Sequence, residues 1–324
     1  MDRRGDRRTH RKGGPGKPGP GGRASCAGIL AGLRAAQRLK SLAAALALLA
    51  AAPLPAAAQT AAADDAIERI ARRSAIVMGF RSDAPPFSYM AESGAPLGLA
   101  VRLCASVAPE ISRQAGAAGA LPVIWVPVTS TTRFEALAER RIDVLCGPTT
   151  QTLTRRETLD FSIPYFVESA GIVFRKGGPE RLQDLTDEPV GVLDGTTTEA
   201  VARRVLAELA PQAQLRLFDS HVEGLDAMQQ GLIEAYMGDQ SIVIYQLGRL
   251  RPSVMPVISR RKFSREPYAL TVARGESGLR LALDRGLSRL YQSGEIYDLI
   301  RESLGRVNLD PETEAIYDVV AIPE

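Results

Sequence analysis

One segment, residues 142–166, reads IDVLCGPTTQTLTRRETLDFSIPYF and combines three structural signals. It opens with an apolar run, residues 142–146, which a Gly-Pro pair ends, and such a run predicts a buried strand. Thr154 and Glu157 then have the spacing of a capping box, which predicts the start of a helix. Arg155 stands just inside that start, where the helix dipole disfavours a cation. We therefore expect an anion here, and our hypothesis is the carboxylate of a small ligand.

The net charge of +3 over 324 residues hides two parts of opposite sign. Residues 1–58 hold eleven lysines and arginines against two aspartates, which leaves 29 basic and 35 acidic residues in the remainder. Because a nucleic-acid-binding surface is basic, we expect no nucleic-acid partner. The length and the 45% hydrophobic content predict one or two globular domains with ample core.

Residues 1–58 have the features of an export signal peptide. The basic beginning is followed by the apolar run LAAALALLAAA at 42–52, which is too short to span a bilayer comfortably. Residues 56–58, all alanine, then offer a cleavage site before Gln59. An uncleaved membrane anchor is the alternative. No later stretch approaches 18 apolar residues, so we expect an exported, soluble, periplasmic protein.

Cysteine usage agrees with export. Cys26 lies within the leader, whereas Cys104 falls on the apolar face of a predicted helix and Cys146 ends the predicted strand of the opening segment. Two cysteines in an oxidising compartment are expected to form a disulfide, here Cys104–Cys146. Two reduced core thiols are the alternative.

Apolar runs alternate with helical patterns from residue 75 onward, which predicts an α/β protein with mostly parallel sheets. So many short strands suit two smaller sheets better than one. The predicted strands are 75–80, 122–126, 142–146, 171–175, 190–193, 215–218, 234–237, 254–258 and 268–273. The predicted helices are 98–114, 133–140, 155–159, 198–209, 222–230, 240–248, 278–291 and 295–304.

Capping boxes mark the starts of helices that closely follow strands. They are Thr132/Glu135, Thr154/Glu157, Thr196/Glu199 and Ser220/Glu223, and the residues just inside them are Arg133, Arg155, Thr197 and His221. Each box alone is a common tetrapeptide. Three cationic residues in equivalent positions, at the strand ends where open α/β sheets bind ligands, favour an anion site.

Two further residues join this set. Arg81 directly follows the first predicted strand and precedes the irregular loop of residues 82–86. Asp239 lies just past the strand 234–237, where a plain N-cap is the alternative role.

The motifs together resemble the bacterial solute-binding proteins of family 3, the periplasmic amino-acid-binding proteins of ABC transporters. The chain looks most like the glutamate/aspartate-binding members, over about residues 66–324. The matching segments are IVMGFRSDAPPFSY (76–89), TSTTRFEAL (129–137), DVLCGPTTQTLTRRETLDFS (143–162), VGVLDGTTTEA (190–200), SHVEGLDAMQQGLIEAYMGDQ (220–240) and LYQSGEIYDLI (290–300).

The resemblance implies a role for each candidate. Arg155 and Thr150 hold the ligand α-carboxylate, for which the guanidinium fork is suited, and Asp239 receives the α-ammonium. Thr196 and Thr197 add contacts from the second lobe. The residues at positions that hold the side-chain carboxylate are Arg81, Ser130, Arg133 and His221. One departure is Pro148, which removes a hydroxyl and an N–H but keeps its carbonyl.

The charge of the predicted site points to an acidic ligand independently. Three arginines, Arg81, Arg133 and Arg155, against Asp239 give +2 before any contribution from His221. This charge favours glutamate or aspartate over a neutral amino acid, and a neutral one over a basic one.

The resemblance also implies the type II periplasmic-binding-protein fold, with two α/β lobes and the ligand between them. Lobe 1 is expected to comprise residues 66–168 with 266–324, and lobe 2 residues 169–265, with crossings near 167–170 and 264–267. Closure around an acidic amino acid and delivery to an ABC permease would follow. We expect a monomer with no metal, cofactor or catalytic residue. The alternatives are a periplasmic enzyme on the same fold, resembling cyclohexadienyl dehydratase, and a sensor module that docks on a receptor.

Overall fold

The computed structural model describes residues 65–305 and 309–323. The predicted signal peptide, its cleavage site and Cys26 lie outside the described residues. Among the helices described, none combines the length and the apolar character that crossing a membrane requires.

Helices and strands alternate along the described chain, as the sequence pattern predicts. The strands are β1 (Ile76–Arg81), β2 (Asp83–Ala84), β3 (Ser88–Met90), β4 (Pro96–Leu97), β5 (Val123–Val128), β6 (Val144–Cys146), β7 (Leu159–Glu168), β8 (Ala170–Phe174), β9 (Pro189–Leu193), β10 (Gln214–Phe218), β11 (Ala235–Asp239), β12 (Val257–Ile258) and β13 (Glu266–Ala273). The α-helices are α1 (Ala66–Arg73), α2 (Leu99–Gln114), α3 (Arg133–Ala138), α4 (Thr197–Leu209), α5 (His221–Gln229), α6 (Gln240–Leu250), α7 (Ser277–Ser293), α8 (Glu295–Leu304) and α9 (Pro311–Val319).

Two five-stranded sheets organise these elements, with strand orders β5-β1-β6-β13-β7 and β10-β9-β11-β8-β12. The prediction of an α/β protein with two smaller sheets is confirmed. The small strands β2, β3 and β4 form a third sheet beside the end of β1.

Each large sheet is mixed, so the expectation of mostly parallel sheets is wrong. β1 runs parallel to β5 and β6, and β9 runs parallel to β10 and β11. In contrast, β13 is antiparallel to β6 and β7, and β8 is antiparallel to β11 and β12. The parallel pairs are joined through helices, which is the connection that parallel pairing requires. β7 and β8 are instead separated by Ser169 alone, with no helix between them.

The two sheets have separate cores. Side chains from β1, β6 and β13 pack with the apolar faces of α2 and α7, where Leu103, Val107 and Leu283 are fully buried. Side chains from β8, β9 and β11 pack with α4, whose buried residues include Ala202 and Val205. These helices thus cover one face of each sheet with their apolar stripes.

The disulfide between Cys104 and Cys146 is confirmed. It joins the middle of α2 to the last residue of β6, with a Cα–Cα distance of 6.0 Å and a sequence separation of 42 residues. Both half-cystines are fully buried. The bond therefore fixes the strand end that leads into residues 147–150.

The chain passes between the sheets at two neighbouring places. β7 of the first sheet ends at Glu168 and β8 of the second begins at Ala170. The return enters β13 at Glu266, whose Cα is paired with that of Glu168. Strands of the first sheet come from residues 76–168 and 266–273, and those of the second from 170–258. The exact lobe limits and the hinge positions remain predictions.

The helix predicted at 155–159 is wrong. Residues Arg155–Glu157 form a single 3-10 turn, and β7 begins at Leu159. Thr154 has helical backbone angles and makes no capping hydrogen bond with its side chain. The β-favouring sequence from Leu159 onward pairs with seven residues of β13, and this pairing outweighs the local capping signal.

Candidate functional site

A cavity lies between the two sheets, where strand ends and helix starts meet. It contains ≈ 370 Å³ of empty space, including the part open to solvent. Its lining residues are Arg81, Arg133, Pro148, Thr150, Arg155, Leu193, Thr196, Thr197, Thr198, His221, Met237, Gly238, Asp239 and Ile242. The first sheet contributes the residues up to Arg155, and the second sheet with its helices contributes the others.

Eight of the nine candidate residues line this one cavity: Arg81, Arg133, Thr150, Arg155, Thr196, Thr197, His221 and Asp239. Ser130 is buried, but it is not among the lining residues. Its carbonyl instead lies close to Gly195, which has a positive φ of 68° in the turn between β9 and α4. A Cβ at Gly195 would approach that carbonyl to 3.3 Å, so this contact favours glycine.

Arg133 is a buried side chain of the cavity whose guanidinium is only partly hydrogen-bonded. It is 2% exposed, and its Nη2 donates to the carbonyl of Gly195 at 3.0 Å. Its Nε and Nη1 have no hydrogen-bond partner. The guanidinium lies over the ring of Phe134, with Cζ 4.3 Å from the ring centroid. Burial, followed by repulsion from Arg81 and Arg155, lowers the pKa of Arg133 well below its ordinary value.

Arg81 differs from Arg133 because it already has a partner. Its Nε and Nη2 donate to the two carboxylate oxygens of Asp83, at 2.8 and 3.0 Å. Burial tends to raise the pKa of Asp83, but the charge and hydrogen bonds of Arg81 outweigh it and hold that pKa below its ordinary value. The positive charge predicted for the site at Arg81 is therefore largely neutralised within the protein.

Arg155 is the first residue of the 3-10 turn that comes after the loop of residues 147–150. Its Nη1 donates to the carbonyl of Thr150 at 2.9 Å, and its Cζ lies 5.1 Å from the centroid of the Phe134 ring. Burial lowers the pKa of Arg155, while the carboxylates of Glu266 and Asp239 act in the opposite direction. Arg133 and Arg155 thus share one aromatic ring and face the same cavity.

Asp239, the last residue of β11, is held by hydroxyl groups. Thr198 Oγ1 donates to its Oδ1 at 2.6 Å, and the hydroxyl of Tyr268 donates to its Oδ2. Its side chain makes no capping hydrogen bond to α6, so the alternative role as a plain N-cap does not hold. Burial, followed by repulsion from Glu266, raises the pKa of Asp239 to about 6.

His221 lines the cavity as a buried, neutral side chain. Its Nδ1 is hydrogen-bonded with the hydroxyl of Tyr236 at 3.0 Å. Burial lowers the pKa of His221 to about 4, although the carboxylate of Asp83 acts against this shift. The imidazole therefore adds no positive charge at neutral pH.

Only two of the predicted capping boxes form caps. Thr196 Oγ1 accepts from the N–H of Glu199, and Ser220 Oγ accepts from the N–H of Glu223. Thr132, like Thr154, makes no capping bond to its helix. Thr196 also donates its hydroxyl proton to the carbonyl of Leu193 at 2.8 Å, so that hydroxyl is already occupied by the protein.

Sequence reasoning missed four residues that shape the site: Asp83, Thr198, Glu266 and Tyr268. The sequence did contain a signal for Asp83. It lies two residues after Arg81, and residues two apart on an extended chain point to the same face. Thr198 continues the threonine run that begins at Thr196. Glu266 and Tyr268 had none, because they meet Thr150 and Asp239 only through the pairing of β13 in the sheet.

The predicted site charge of +2 does not hold once these residues are included. Asp83 and Glu266 add two carboxylates to that of Asp239, which equals the number of arginines lining the cavity. Specificity therefore depends on where donors and acceptors stand, not on the total charge. Over the described ranges, no group of three or more His, Cys, Asp or Glu side chains could hold a metal ion.

Residues 76–306 match the family model of the bacterial extracellular solute-binding proteins, family 3. The chain belongs to this family. An L-glutamate/L-aspartate-binding protein of Pseudomonas aeruginosa is 26% identical over 232 residues, which are 71% of this chain and 76% of the relative. An L-cystine-binding protein of Escherichia coli is 21% identical over 242 residues, 74% of this chain and 86% of the relative.

Solved structures share the fold. The crystal structure of an ancestral amino acid-binding protein, a precursor of cyclohexadienyl dehydratase, has a TM-score of 0.63 at 23% identity. The match covers 74% of this chain and all but 1% of the ancestral one. The type II periplasmic amino-acid-binding fold expected from the sequence is confirmed. Family members are binding proteins for amino acids, and they work with ABC transporter permeases.

Proposed function

We propose that this solute-binding protein captures an acidic L-amino acid, glutamate or aspartate, by lobe closure and delivers it to an ABC permease. The observation that carries the proposal is Arg133, whose Nε and Nη1 lack partners although the side chain is buried and lines the cavity. A buried donor without an acceptor costs about 1–3 kcal/mol, and more when it is charged. A ligand carboxylate would supply a charged acceptor to these donors and relieve part of this cost.

A second carboxylate of the ligand would bind at Arg155. This arginine has one hydrogen bond from its side chain, to Thr150, and it faces the same cavity as Arg133. Arg155 is assigned the α-carboxylate and Arg133 the side-chain carboxylate. Arg81 contributes mainly through its field because Asp83 occupies its fork. His221 contributes as a neutral group beside the side-chain carboxylate.

The acidic side of the cavity fits an ammonium group and little more. Asp239 is the acceptor for the α-ammonium, and its hydroxyl partners leave further lone pairs on the carboxylate. The other nearby carboxylates are occupied, Asp83 by Arg81 and Glu266 by three hydroxyls. The side chain of a basic ligand would therefore lack a free acceptor, and its charge would be repelled by the guanidinium of Arg133.

Thr150 and Arg155 come from the first sheet, and Thr197 and Asp239 from the second. A ligand that touches both sides would bind the closed form preferentially and shift the hinge equilibrium toward closure. The family supports the permease partner and the periplasmic location, and the basic, apolar leader of residues 1–58 supports export. We propose that the protein acts as a monomer.

Isothermal titration calorimetry of the purified protein against the twenty amino acids and several dicarboxylates tests the proposal. We expect glutamate or aspartate to bind with a Kd in the micromolar range or below, which corresponds to about −8 kcal/mol. Binding of neutral or basic amino acids alone would contradict the acidic assignment. Ligand turnover, followed by NMR of the mixture, would favour an enzyme instead.

A further inference from the structure

Glu266 is a buried carboxylate to which the proposed function gives no role. It begins β13, and its side chain reaches both sides of the cavity. Its Oε2 accepts the hydroxyl of Thr150 at 2.7 Å and that of Thr197 at 2.5 Å. Thr150 follows β6 of the first sheet, whereas Thr197 begins α4 after β9 of the second. One oxygen atom thus joins the two sides.

The direction of these hydrogen bonds follows from the proton count. A carboxylate has no proton to donate, and a threonine hydroxyl has one. Both hydroxyl protons therefore point at Glu266. The two oxygen atoms lie 3.2 Å apart, and both threonines line the cavity. What these hydroxyls offer to a ligand is lone pairs.

Asp239 acts in the same way on the adjacent side chains. Thr198 and Tyr268 donate their hydroxyl protons to its carboxylate. This corner of the cavity therefore consists of acceptors, whereas Arg133 presents only donors through Nε and Nη1. Such a division is suited to a zwitterionic ligand, with its ammonium at the acceptor corner.

We infer that Glu266 is a positioning residue that turns the hydroxyls of Thr150 and Thr197 into acceptors for the ligand's ammonium group, beside Asp239. The inference rests on the proposed function to the extent that the ligand is an α-amino acid. It moves the Thr150 hydroxyl from the α-carboxylate, its role by family resemblance, to the ammonium.

The carboxylate of Glu266 is itself fixed by the chain segments that connect the sheets. Its Oε1 accepts the hydroxyl of Ser264 at 2.7 Å, and Ser264 Oγ accepts the N–H of Ala170 at 2.8 Å. Ser264 precedes β13 and Ala170 begins β8, so the orientation of the carboxylate depends on both connections. With Oε1 held there, Oε2 remains for the two threonines.

The variant Glu266→Gln tests the inference by calorimetry with L-glutamate and with glutarate, which lacks the ammonium group. The amide of glutamine donates to one threonine, so that hydroxyl proton turns toward the cavity and opposes an ammonium. We expect the affinity for L-glutamate to fall at least tenfold and that for glutarate to change less than threefold. Glu302→Gln, which removes a carboxylate that is 56% exposed, is the matched control and is expected to change neither affinity.

Thr197→Val provides a second readout that does not depend on glutarate. Because Glu266 acts through the threonines, Glu266→Gln and Thr197→Val combined are expected to lose clearly less affinity for L-glutamate than the product of the two single losses. Full additivity would overturn the inference. So would an equal loss for L-glutamate and glutarate, which indicates a merely structural tie, or unchanged binding of both. If Glu266→Gln fails to fold, the inference is tested by Thr197→Val with the same two ligands, and a larger loss of affinity for L-glutamate than for glutarate supports it.

Failure of the proposed function has a different signature. A wild-type protein that binds L-glutamine in preference to L-glutamate contradicts the acidic assignment, and L-glutamine with its des-amino analogue then tests Glu266 in the same way. A wild-type protein that binds no α-amino acid overturns both.

Discussion

The guanidinium of Arg81 grips the carboxylate of Asp83 through two parallel hydrogen bonds, Nε to Oδ1 at 2.8 Å and Nη2 to Oδ2 at 3.0 Å. Arg81, which the sequence predicts to contact the ligand, is thus already paired with a carboxylate of the protein. Arg133, in the same cavity, has two nitrogen atoms that lack partners. The two arginines therefore differ in what a ligand can gain from them.

Arg81→Met is expected to weaken acidic amino-acid binding less than Arg133→Met does. Because it leaves Asp83 mostly buried and unpaired, it is also expected to lower the free energy of unfolding by up to about 3 kcal/mol. The double variant Arg81→Met/Asp83→Asn should recover most of that stability, as measured by urea unfolding. If the double variant loses as much ligand affinity as Arg133→Met, Arg81 is a direct ligand contact.

Arg133→Met is expected to separate stability from binding. Removing a buried cation with two donors that lack acceptors should raise the free energy of unfolding of the ligand-free protein by about 1–3 kcal/mol. The same change should weaken glutamate or aspartate binding by about 2–5 kcal/mol, as for the truncation of one partner in a buried charge pair. Thermal melts and calorimetry on one preparation measure both. Arg141→Met, at a side chain that is 47% exposed, is the control and should change neither. A destabilised Arg133→Met that still binds tightly would refute this prediction.

Amino-acid affinity is expected to fall as the pH drops below 6. The pKa of Asp239 in the free protein is raised to about 6, and the ligand's ammonium is attracted by the ionised form. Affinity should therefore decrease about fivefold between pH 6 and pH 5 and level off above pH 7. His221, with a pKa of about 4, titrates below this range. Calorimetry between pH 5 and 7 measures the profile, and Asp239→Asn should flatten it. A flat profile in the wild type would exclude Asp239 as the ammonium acceptor.

Glu168 is expected to make the ligand-free protein less stable in alkaline solution. Burial, followed by repulsion from Asp239, raises its pKa from 4.5 to about 8. Because the pKa of Glu168 is higher in the folded than in the unfolded protein, its contribution to the free energy of unfolding is fully present below the unfolded-state pKa. That contribution is lost as the pH rises through 8. Glu168→Gln keeps the side chain neutral, so it should be more stable than the wild type at pH 8.5 by on the order of a few kcal/mol.

The control for Glu168 compares the wild type with Glu168→Gln at pH 4.5. At this pH the side chain at position 168 is neutral in the folded state of both proteins. We expect the stability difference in urea unfolding to shrink strongly there. Glu302→Gln, at an exposed carboxylate, should show no such dependence. A difference between Glu168→Gln and wild type that is equal at both pH values would mean that packing, not ionisation, causes it.

Replacing both half-cystines, Cys104→Ala with Cys146→Ala, is expected to lower the free energy of unfolding by about 3–4 kcal/mol. The bond closes a loop with a separation of 42 residues and so restricts the unfolded chain. Ligand affinity should change little, because neither cysteine lines the cavity. Urea unfolding under non-reducing conditions measures the loss. An equal unfolding free energy in the two proteins would show that the disulfide does not restrict the unfolded state.

Local sequence signals identified nine of the thirteen described strands, seven of the nine described helices and the disulfide partners, and together with the family resemblance they identified eight residues of one cavity. The strands β2, β3, β4 and β7 and the helices α1 and α9 were not predicted. The local signals failed where distant pairing decides the structure. The capping box at Thr154 is a correct local signal that the pairing of β7 with β13 overrides. The positive site charge failed because the partner of Thr150 is 116 residues away in the chain, at Glu266. A single sequence does not reveal such a contact.

The position of β13 in its sheet sets an order of assembly. This strand lies between β6 and β7, although residues 169–265 separate it from both in the chain. β7 therefore has no partner in the first sheet until the chain has returned from the second, whose strands come from one continuous segment. The second sheet can form from that segment alone, and its completion brings β13 back beside β7. In refolding kinetics we expect residues 170–258 to acquire amide-exchange protection before β7 does.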